Sequence, residues 1–310
     1  MQKRVPFSLQ RIIREMNVNK FLRRVFGKIG KTFIGRLYED LKIDIHHRSS
    51  KEAQLMLFHA YKEMASRGIV PSLLDVGFRC HSQCEEDGIL LFIFALIGTT
   101  NKKVVEICAG DGIECMSANL ILNHGWWGYL FDGNKENVKR GQMFFRNNRD
   151  TFLCPPKFTH AWINAENVNT AIGDAGLSGE IDLLALDIDG MDYWVWKAIR
   201  CIRPRVVVCE THNAIGADEA LTVPYGPNFV ITKPDFCGAS LAAMTKLAEE
   251  KGYRLIGTHR YGFNAFFILK EIAKDILPTV AVEQCLKDPF SLEARSVRWP
   301  KVKNMNWVKV

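Results

Sequence analysis

The sequence predicts an α/β fold built on a mostly parallel seven-stranded sheet that ends in an antiparallel hairpin, with a helical extension in front. Three observations predict it. From Lys103 onward, short apolar segments alternate with stretches of helical period, which implies right-handed crossovers between parallel strands. The strand segments are apolar almost without interruption, as a sheet covered on both faces requires. The last two, YRLIGT and FNAFFIL, are separated only by a short turn at Tyr261-Gly262, and two strands so joined read as a hairpin.

Residues 1–75 form the helical, basic extension. Arg11, Arg14, Lys20, Arg23, Arg24, Lys28, Lys31 and Arg36 interleave with Leu9, Ile12, Ile13, Met16, Leu22, Val25, Phe26 and Ile29 at helical spacing. Such a stretch either packs on a core with a solvated basic face or lies on an anionic membrane surface. KEAQLMLFHAYKEMASRG, from Lys51, keeps a period near 3.6 and stops at Gly68. A turn-rich segment follows, and Ile89 to Ile97, apolar on every face, reads as a buried helix.

The domain proper spans residues 76–275. Its strands are VVEIC, GYLFDG, FTHAWINA, IDLLALDIDG, RVVVCE and the closing pair. Helices run through Asn119 and Leu122, from Glu136, through Trp194 and Ala198, and from Ala239 to Glu250. The tail, residues 276–310, is mixed and basic and suggests no role.

With 47% hydrophobic and 24% charged residues, the composition is that of an ordinary globular protein. No apolar run is long enough to span a bilayer. No apolar stretch near the N-terminus leads to a small-residue cleavage site, so a cytoplasmic location is expected, membrane-peripheral if the basic helices dock. The nine cysteines are scattered and are expected to be reduced. Cys80-His81 and Cys84 have the wrong spacing for a zinc knuckle. The net charge of +7 comes with no recognition motif, so no nucleic-acid partner is expected.

Chemistry concentrates at the strand ends, where open α/β sheets bind ligands. VVEICAGDGIE ends an apolar strand in an acid and then supplies two glycines around an aspartate. Gly110 and Gly112 let backbone approach a ligand closely, and Glu106 suits an ammonium. Asp132, twenty positions after Gly112, can accept both hydroxyls of a ribose. The same spacing serves NAD, so these signals indicate a nucleoside cofactor without choosing which. Asn164, Ala165 and Glu166, at the end of the third strand, could meet an adenine amino group. Asp187 and Asp189 repel each other unless something positive lies near, which a sulfonium, a divalent metal or a lysine would supply. Asp192 reads as a helix N-terminal cap or a partner of the helix dipole. Glu210, His212 and Asn213 end the fifth strand beside them. His212 is the candidate general base. Asp187, Asp189 and Glu210, with His212 as one imidazole, could instead hold Mg²⁺ or Mn²⁺.

A sheet closed by a hairpin is the layout of class I S-adenosylmethionine (SAM) methyltransferases. EDGIL from Glu86, VVEICAGDGIE, YLFDGN, DLLALDIDGMDYWVWKAI, TVPYGPNF and GASLAAM together resemble the FkbM-like SAM-dependent methyltransferases. The resemblance is closest to a bacterial branch found among surface-glycan and lipopolysaccharide biosynthesis proteins, and it covers residues 82–269. It implies a class I fold, SAM as cofactor, and O-methylation of a small-molecule or glycan hydroxyl. It places Glu106, Gly110 and Gly112 in the cofactor loop, Asp132 at the ribose and Asp187 as the acid of the fourth motif. Cys108 stands where the family loop carries glycine, so the first turn is expected to avoid backbone angles that only glycine tolerates. Two other readings stay open at this point: an NAD-dependent oxidoreductase, and a non-catalytic SAM-fold domain acting as a membrane-surface partner.

Overall fold

Neighbouring residues of each central strand feed opposite layers of core. In the computed structural model, which describes residues 51–310, Val105, Leu184, Val207 and Phe267 join one cluster. Val104, Leu183, Val206 and Phe266, each one position earlier, join the other. This two-residue alternation puts an apolar layer on both faces of the sheet. Each such side chain, fully buried, stabilises the fold by about 1.5–3 kcal/mol. The basic stretch of Arg11 to Arg36 lies outside the described residues.

Residues 56–310 form one compact unit. A helix described over 51–66 (α1) leads to α2, Glu86–Ile97. As its all-round apolar sequence requires, α2 is buried from Glu86 through Ala95. Tyr61 of α1 meets Phe92 of α2 edge-on at 5.0 Å. Strands and helices then alternate: β1 (Lys103–Ile107), α3 (Ala118–His124), β2 (Trp127–Asp132), α4 (Lys135–Asn147), β3 (Lys157–His160), α5 (Val168–Asp174), β4 (Gly179–Leu186), α6 (Asp192–Ala198) and β5 (Ile202–Glu210). After a short strand, β6 (Leu221–Thr222), come α7 (Leu241–Glu250) and the hairpin β7 (Tyr253–Thr258) and β8 (Asn264–Leu269).

The sheet order is β3-β2-β1-β4-β5-β8-β7. The first five strands run parallel, and β8 runs antiparallel to both β5 and β7. This is the mostly parallel seven-stranded sheet closed by an antiparallel hairpin that the sequence predicts. The order reverses between β1 and β4, which opens a crevice above their carboxyl ends.

At the opposite edge, Asp182 of β4 locks the sheet. Its carboxylate accepts from the backbone N–H of Thr100, Asn101 and Lys102 and from Arg205 Nη1 at 2.8 Å. Side-chain caps fix the helix starts: Asn134 accepts from Glu136 N, and Ser240 accepts from Ala243 N. No described helix is long and apolar enough to cross a membrane.

The tail packs on the same unit. It comprises α8 (Val282–Cys285), α9 (Pro289–Val297), α10 (Trp299–Val302) and β9 (Val308–Lys309), which pairs with β6. Leu277, Ala294 and Val302 are buried. Arg298 binds Asp235 at 2.6 Å, and Trp307 packs edge-on against His212 and Phe236. The tail therefore covers the carboxyl end of β5.

Candidate functional site

The loop after β1 is shaped by two carboxylates. Glu106 is buried, and its oxygens accept from Met116 N, Ser117 N and the Ser117 hydroxyl. The expectation that Glu106 faces a ligand ammonium is therefore corrected. Its lone pairs fix the start of α3, because the free N–H groups ahead of that helix are the nearest donors. Asp132, at the end of β2, accepts from Gly110 N at 2.9 Å and Asn134 N at 2.8 Å. It ties the glycine turn to the second strand.

Both glycines of the turn have positive φ, +56° at Gly110 and +71° at Gly112. A Cβ on Gly112 would also press Phe145 and Phe158 at 3.0 Å. Cys108, however, sits at φ +66°, so the turn does enter the left-handed region that its sequence was expected to avoid. The loop geometry is imposed by Asp132 and Glu106, and Cys108 bears the cost, about 1–2 kcal/mol for a residue with a Cβ. Burial, then the neighbouring Asp132, pushes the Cys108 thiol up to about 12.

A cleft of about 770 Å³ opens above this turn, large enough for a nucleoside-sized ligand. Its walls come from Ile107 and Cys108, from Asp132 to Lys135 with Asn137, from His160 to Ile163, from Ile188, Asp189 and Met191, and from Pro227 and Phe229 to Ile231. Asp132 faces it and keeps capacity beyond its loop bonds, since a carboxylate has about four lone-pair sites. The last wall belongs to the loop after β6, whose course sequence could not give. Trp162 Nε1 donates to Pro227 O at 3.0 Å and holds that loop to the β3 side. A Cβ on Gly133 would collide with the Trp162 ring at 2.7 Å, which explains the glycine of YLFDG. A larger cavity, about 850 Å³, lies by the outer strand β7 between residues 68–74 and 275–288. It contains neither the glycine turn nor a site acid.

β3 is shorter than expected. It ends at His160, and the chain from Trp162 is gathered by asparagines: Asn167 Nδ2 donates to Trp162 O, and Asn164 Oδ1 accepts from Glu166 N. Glu166, expected near the adenine, is bound by the Tyr225 hydroxyl and does not line the cleft. Ile163 does.

The acids after β4 and β5 converge. Carboxylate oxygens of Asp187, Asp189 and Glu210 lie within 4.8 Å of one another. Asp189 sits at φ +53°, an unfavourable backbone that the loop maintains. Asp192 begins α6 but does not cap it. Its oxygens accept from Ile188 N at 3.0 Å and Gly190 N at 3.2 Å and so shape the loop that carries Asp189. Burial, followed by Asp192 and Asp189, pushes Asp187 well above the ordinary carboxylate range. Burial and then Asp187 do the same to Glu210. Glu210 Oε2 is buried with no hydrogen-bond partner among the described residues.

His212 does not join them as a base. Its Nε2 donates to Asp235 O at 2.9 Å, and Nδ1 accepts from Ala214 N at 3.3 Å. Both ring nitrogens are occupied, and burial lowers the pKa. The histidine is a bridge between the β5 end and the loop at Asp235, which corrects its catalytic assignment. A second cluster, Cys84, Glu86 and His259, also lies within 4.8 Å. There His259 Nδ1 accepts from Tyr261 N at 3.0 Å. The neutral ring therefore carries its proton on Nε2, which faces Glu86 at 3.4 Å and offers a metal no lone pair.

No protein-family profile matches the chain, and neither does any curated protein. Among solved structures, the chain is similar to the magnesium protoporphyrin IX methyltransferase of Synechocystis with bound SAM. That likeness has 13% identity, 80% of this chain and 94% of that one, and a TM-score of 0.34. It is similar to the methyltransferase domain of a bacterial Hen1, with 16% identity, 59% and 96% coverage and a TM-score of 0.40. It is also similar to the N-terminal domain of EvdMO1 with S-adenosylhomocysteine (SAH) bound, with 13% identity, 69% and 94% coverage and a TM-score of 0.41.

Proposed function

We propose that this chain is a SAM-dependent methyltransferase that acts on a hydroxyl, within the FkbM-like group its motifs resemble, with a sugar or related small molecule as acceptor. One observation carries the reading. The cleft at the strand-order reversal is lined by Cys108, at the head of the glycine turn, and by Asp132, and its far side carries Asp189, which lies within 4.8 Å of Asp187 and Glu210. A nucleoside with a positive charge at one end matches both halves.

Bound there, SAM would supply an electrophilic methyl on a cationic sulfur. The chain's own residues do the rest. Beside Gly110 N, Asn134 N and Asn137 Nδ2, Asp132 keeps about one lone-pair site for a ribose hydroxyl, and Ile107, Ile163 and Met191 exclude water around the base. The acids at 187 and 189 offset the positive sulfur. With His212 committed elsewhere, Asp187 and Glu210 are the groups placed to take the acceptor's proton. Asp187, Asp189 and Glu210 would also fit a hard divalent cation, Mg²⁺ or Mn²⁺, whose charge would make a nearby hydroxyl more acidic. Mg²⁺ added to chelator-treated protein should then raise the thermal midpoint, and Asp189→Asn should cancel the rise.

The antiparallel β8 speaks against an NAD enzyme, whose sheet adds a further parallel strand. Calorimetric titration with SAH and with NADH tests the choice. Saturable SAH binding is expected, and NADH binding without SAH binding would reverse it. A cytoplasmic enzyme with membrane contact through the basic N-terminal stretch belongs to the same proposal. Liposome binding that falls with salt would support the contact.

A further inference from the structure

Two cavities adjoin the acid cluster. Asp189 lines the cofactor cleft, whereas Glu210 lines a smaller cavity of about 230 Å³ beyond the end of β5. We propose that this second cavity is the acceptor pocket, and that it takes a single hydroxyl-bearing, non-anionic ring whose reacting hydroxyl faces Glu210. The inference rests on the methyltransferase reading and adds where the acceptor sits and what it is.

Four observations carry it. The first is position. Methyl transfer needs the attacking oxygen opposite the sulfur and close to the methyl. The oxygens of Asp189 and Glu210 lie within 4.8 Å of each other, so the two cavities adjoin at the acid cluster and a hydroxyl held at Glu210 lies beside the cofactor cleft. The second is the orphan atom. Glu210 Oε2 is buried and unpartnered among the described residues, which costs free energy unless a donor arrives. A hydroxyl is such a donor.

The third is the wall. Phe263 and Phe290 line the cavity with ring centroids 6.4 Å apart. Tyr261 stacks behind Phe263 at an interplanar angle of 15°. Such faces suit the C–H side of a saturated ring. The remaining lining is mostly polar, from Gln83, Thr211, His212, Asn213 and Arg298, with Cys237 and Gly238. The fourth is charge and size. Arg298 is already paired with Asp235 at 2.6 Å, so the acids set the local sign and repel an anionic acceptor. About 230 Å³ lies below the usual range for drug-sized ligands, roughly 300–1,000 Å³, and fits one ring rather than a chain of them. Phe290 and Arg298 come from the tail, which this assignment gives a task.

The step balances without further reagents. The acceptor oxygen forms the new C–O bond, the C–S bonding pair stays on sulfur, and the hydroxyl proton passes to the carboxylate.

The test uses the full chain saturated with SAH and saturation-transfer NMR. The probes are methyl α-D-glucopyranoside, methyl α-D-mannopyranoside and myo-inositol, with glucuronic acid as the anionic control. At least one neutral ring should bind, with glucuronic acid at least fivefold weaker. Phe290→Ala and the pocket-filling Gln83→Trp, both at exposed positions, should each weaken ring binding at least fivefold and leave SAH affinity within twofold. Normal SAH binding with no ring binding, or with ring binding indifferent to both variants, would overturn the pocket alone. Absence of SAH binding would overturn the methyltransferase reading and the pocket with it.

Discussion

Asp182 and Asp187 stand five residues apart on one stretch of chain and live under opposite conditions. Asp182, at the lower edge of the sheet, is fully buried. Burial alone would raise its pKa, but Arg205 and the N–H groups of Thr100, Asn101 and Lys102 outweigh that and hold it below its ordinary value. Asp187, at the upper edge, faces Asp192, Asp189 and Glu210, and its pKa rises. One edge gives a charge every partner it needs. The other gathers charges and withholds partners. The first arrangement stabilises a fold, and the second is worth maintaining only if a ligand completes it.

The largest effect that could break this contrast is on stability. Asp182→Asn leaves Arg205, whose side chain is 10% exposed, buried without its counter-charge. The expected cost is about 3–5 kcal/mol, read as a drop in the urea midpoint. Asp187→Asn should leave stability within about 0.5 kcal/mol or raise it, while methyl transfer falls about 100-fold or more. Equal destabilisation by the two changes would show that both acids are structural.

Next in size is His212→Ala. It strands Asp235 O and Ala214 N, at a cost of about 1–3 kcal/mol, with SAH affinity within twofold. A variant of wild-type stability whose kcat collapses would return the base role to His212.

That residue also shows what a sequence can and cannot disclose. The glycine turn, Asp132 and the convergence of the acids after β4 and β5 were legible, because each follows from strand order and short spacing. The role of His212 depends on Asp235 O, which lies 23 residues further on, and no local pattern announces it. Glu106 was misassigned for a similar reason: the strand end showed the acid, but only the path of residues 113–117 shows which N–H groups claim it. β3 was drawn too long because Ala161-Trp162-Ile163 continues the apolar run, and the asparagines that end it do so through side-chain hydrogen bonds. The tail carried no periodic signal, and its contribution at β5 emerges from long-range packing.

The contrast extends to acid titration through Asp87 near the start of α2. One of its oxygens accepts from Cys80, His81 and Ser82 N, yet burial wins and carries it to about 6. The folded state thus holds this proton more tightly than the unfolded state. The stability it contributes is complete below about 4 and is lost as pH rises through about 6. Asp182 has the opposite sign: its contribution is complete above about 4 and is lost as pH falls through its lowered folded value. Carboxyl ¹³C shifts followed with pH should therefore show Asp87 titrating near 6 and Asp182 below 3.8. Reversal of that order would contradict the account of both edges.

The smallest effect concerns backbone strain, which both edges carry. Lys102 at the lower edge has φ +52° and Cys108 at the upper edge has φ +66°. At Lys102 the geometry is compensated, because its N–H reaches Asp182 at 2.7 Å and its Nζ reaches His124 O at 3.0 Å. Cys108 lines the cleft in a loop pinned by other residues. Replacing it with glycine removes about 1–2 kcal/mol of left-handed strain and adds about 0.5–1 kcal/mol of unfolded-state entropy. Cys108→Gly should therefore raise stability by about 0.5–1 kcal/mol. Lys102→Gly gains the same relief but gives up the Nζ bond and the chain stiffness, so it should be neutral or destabilising. If Lys102→Gly proved the more stabilising of the two, the lower edge would be the strained one, and the division of labour between the edges would have to be redrawn.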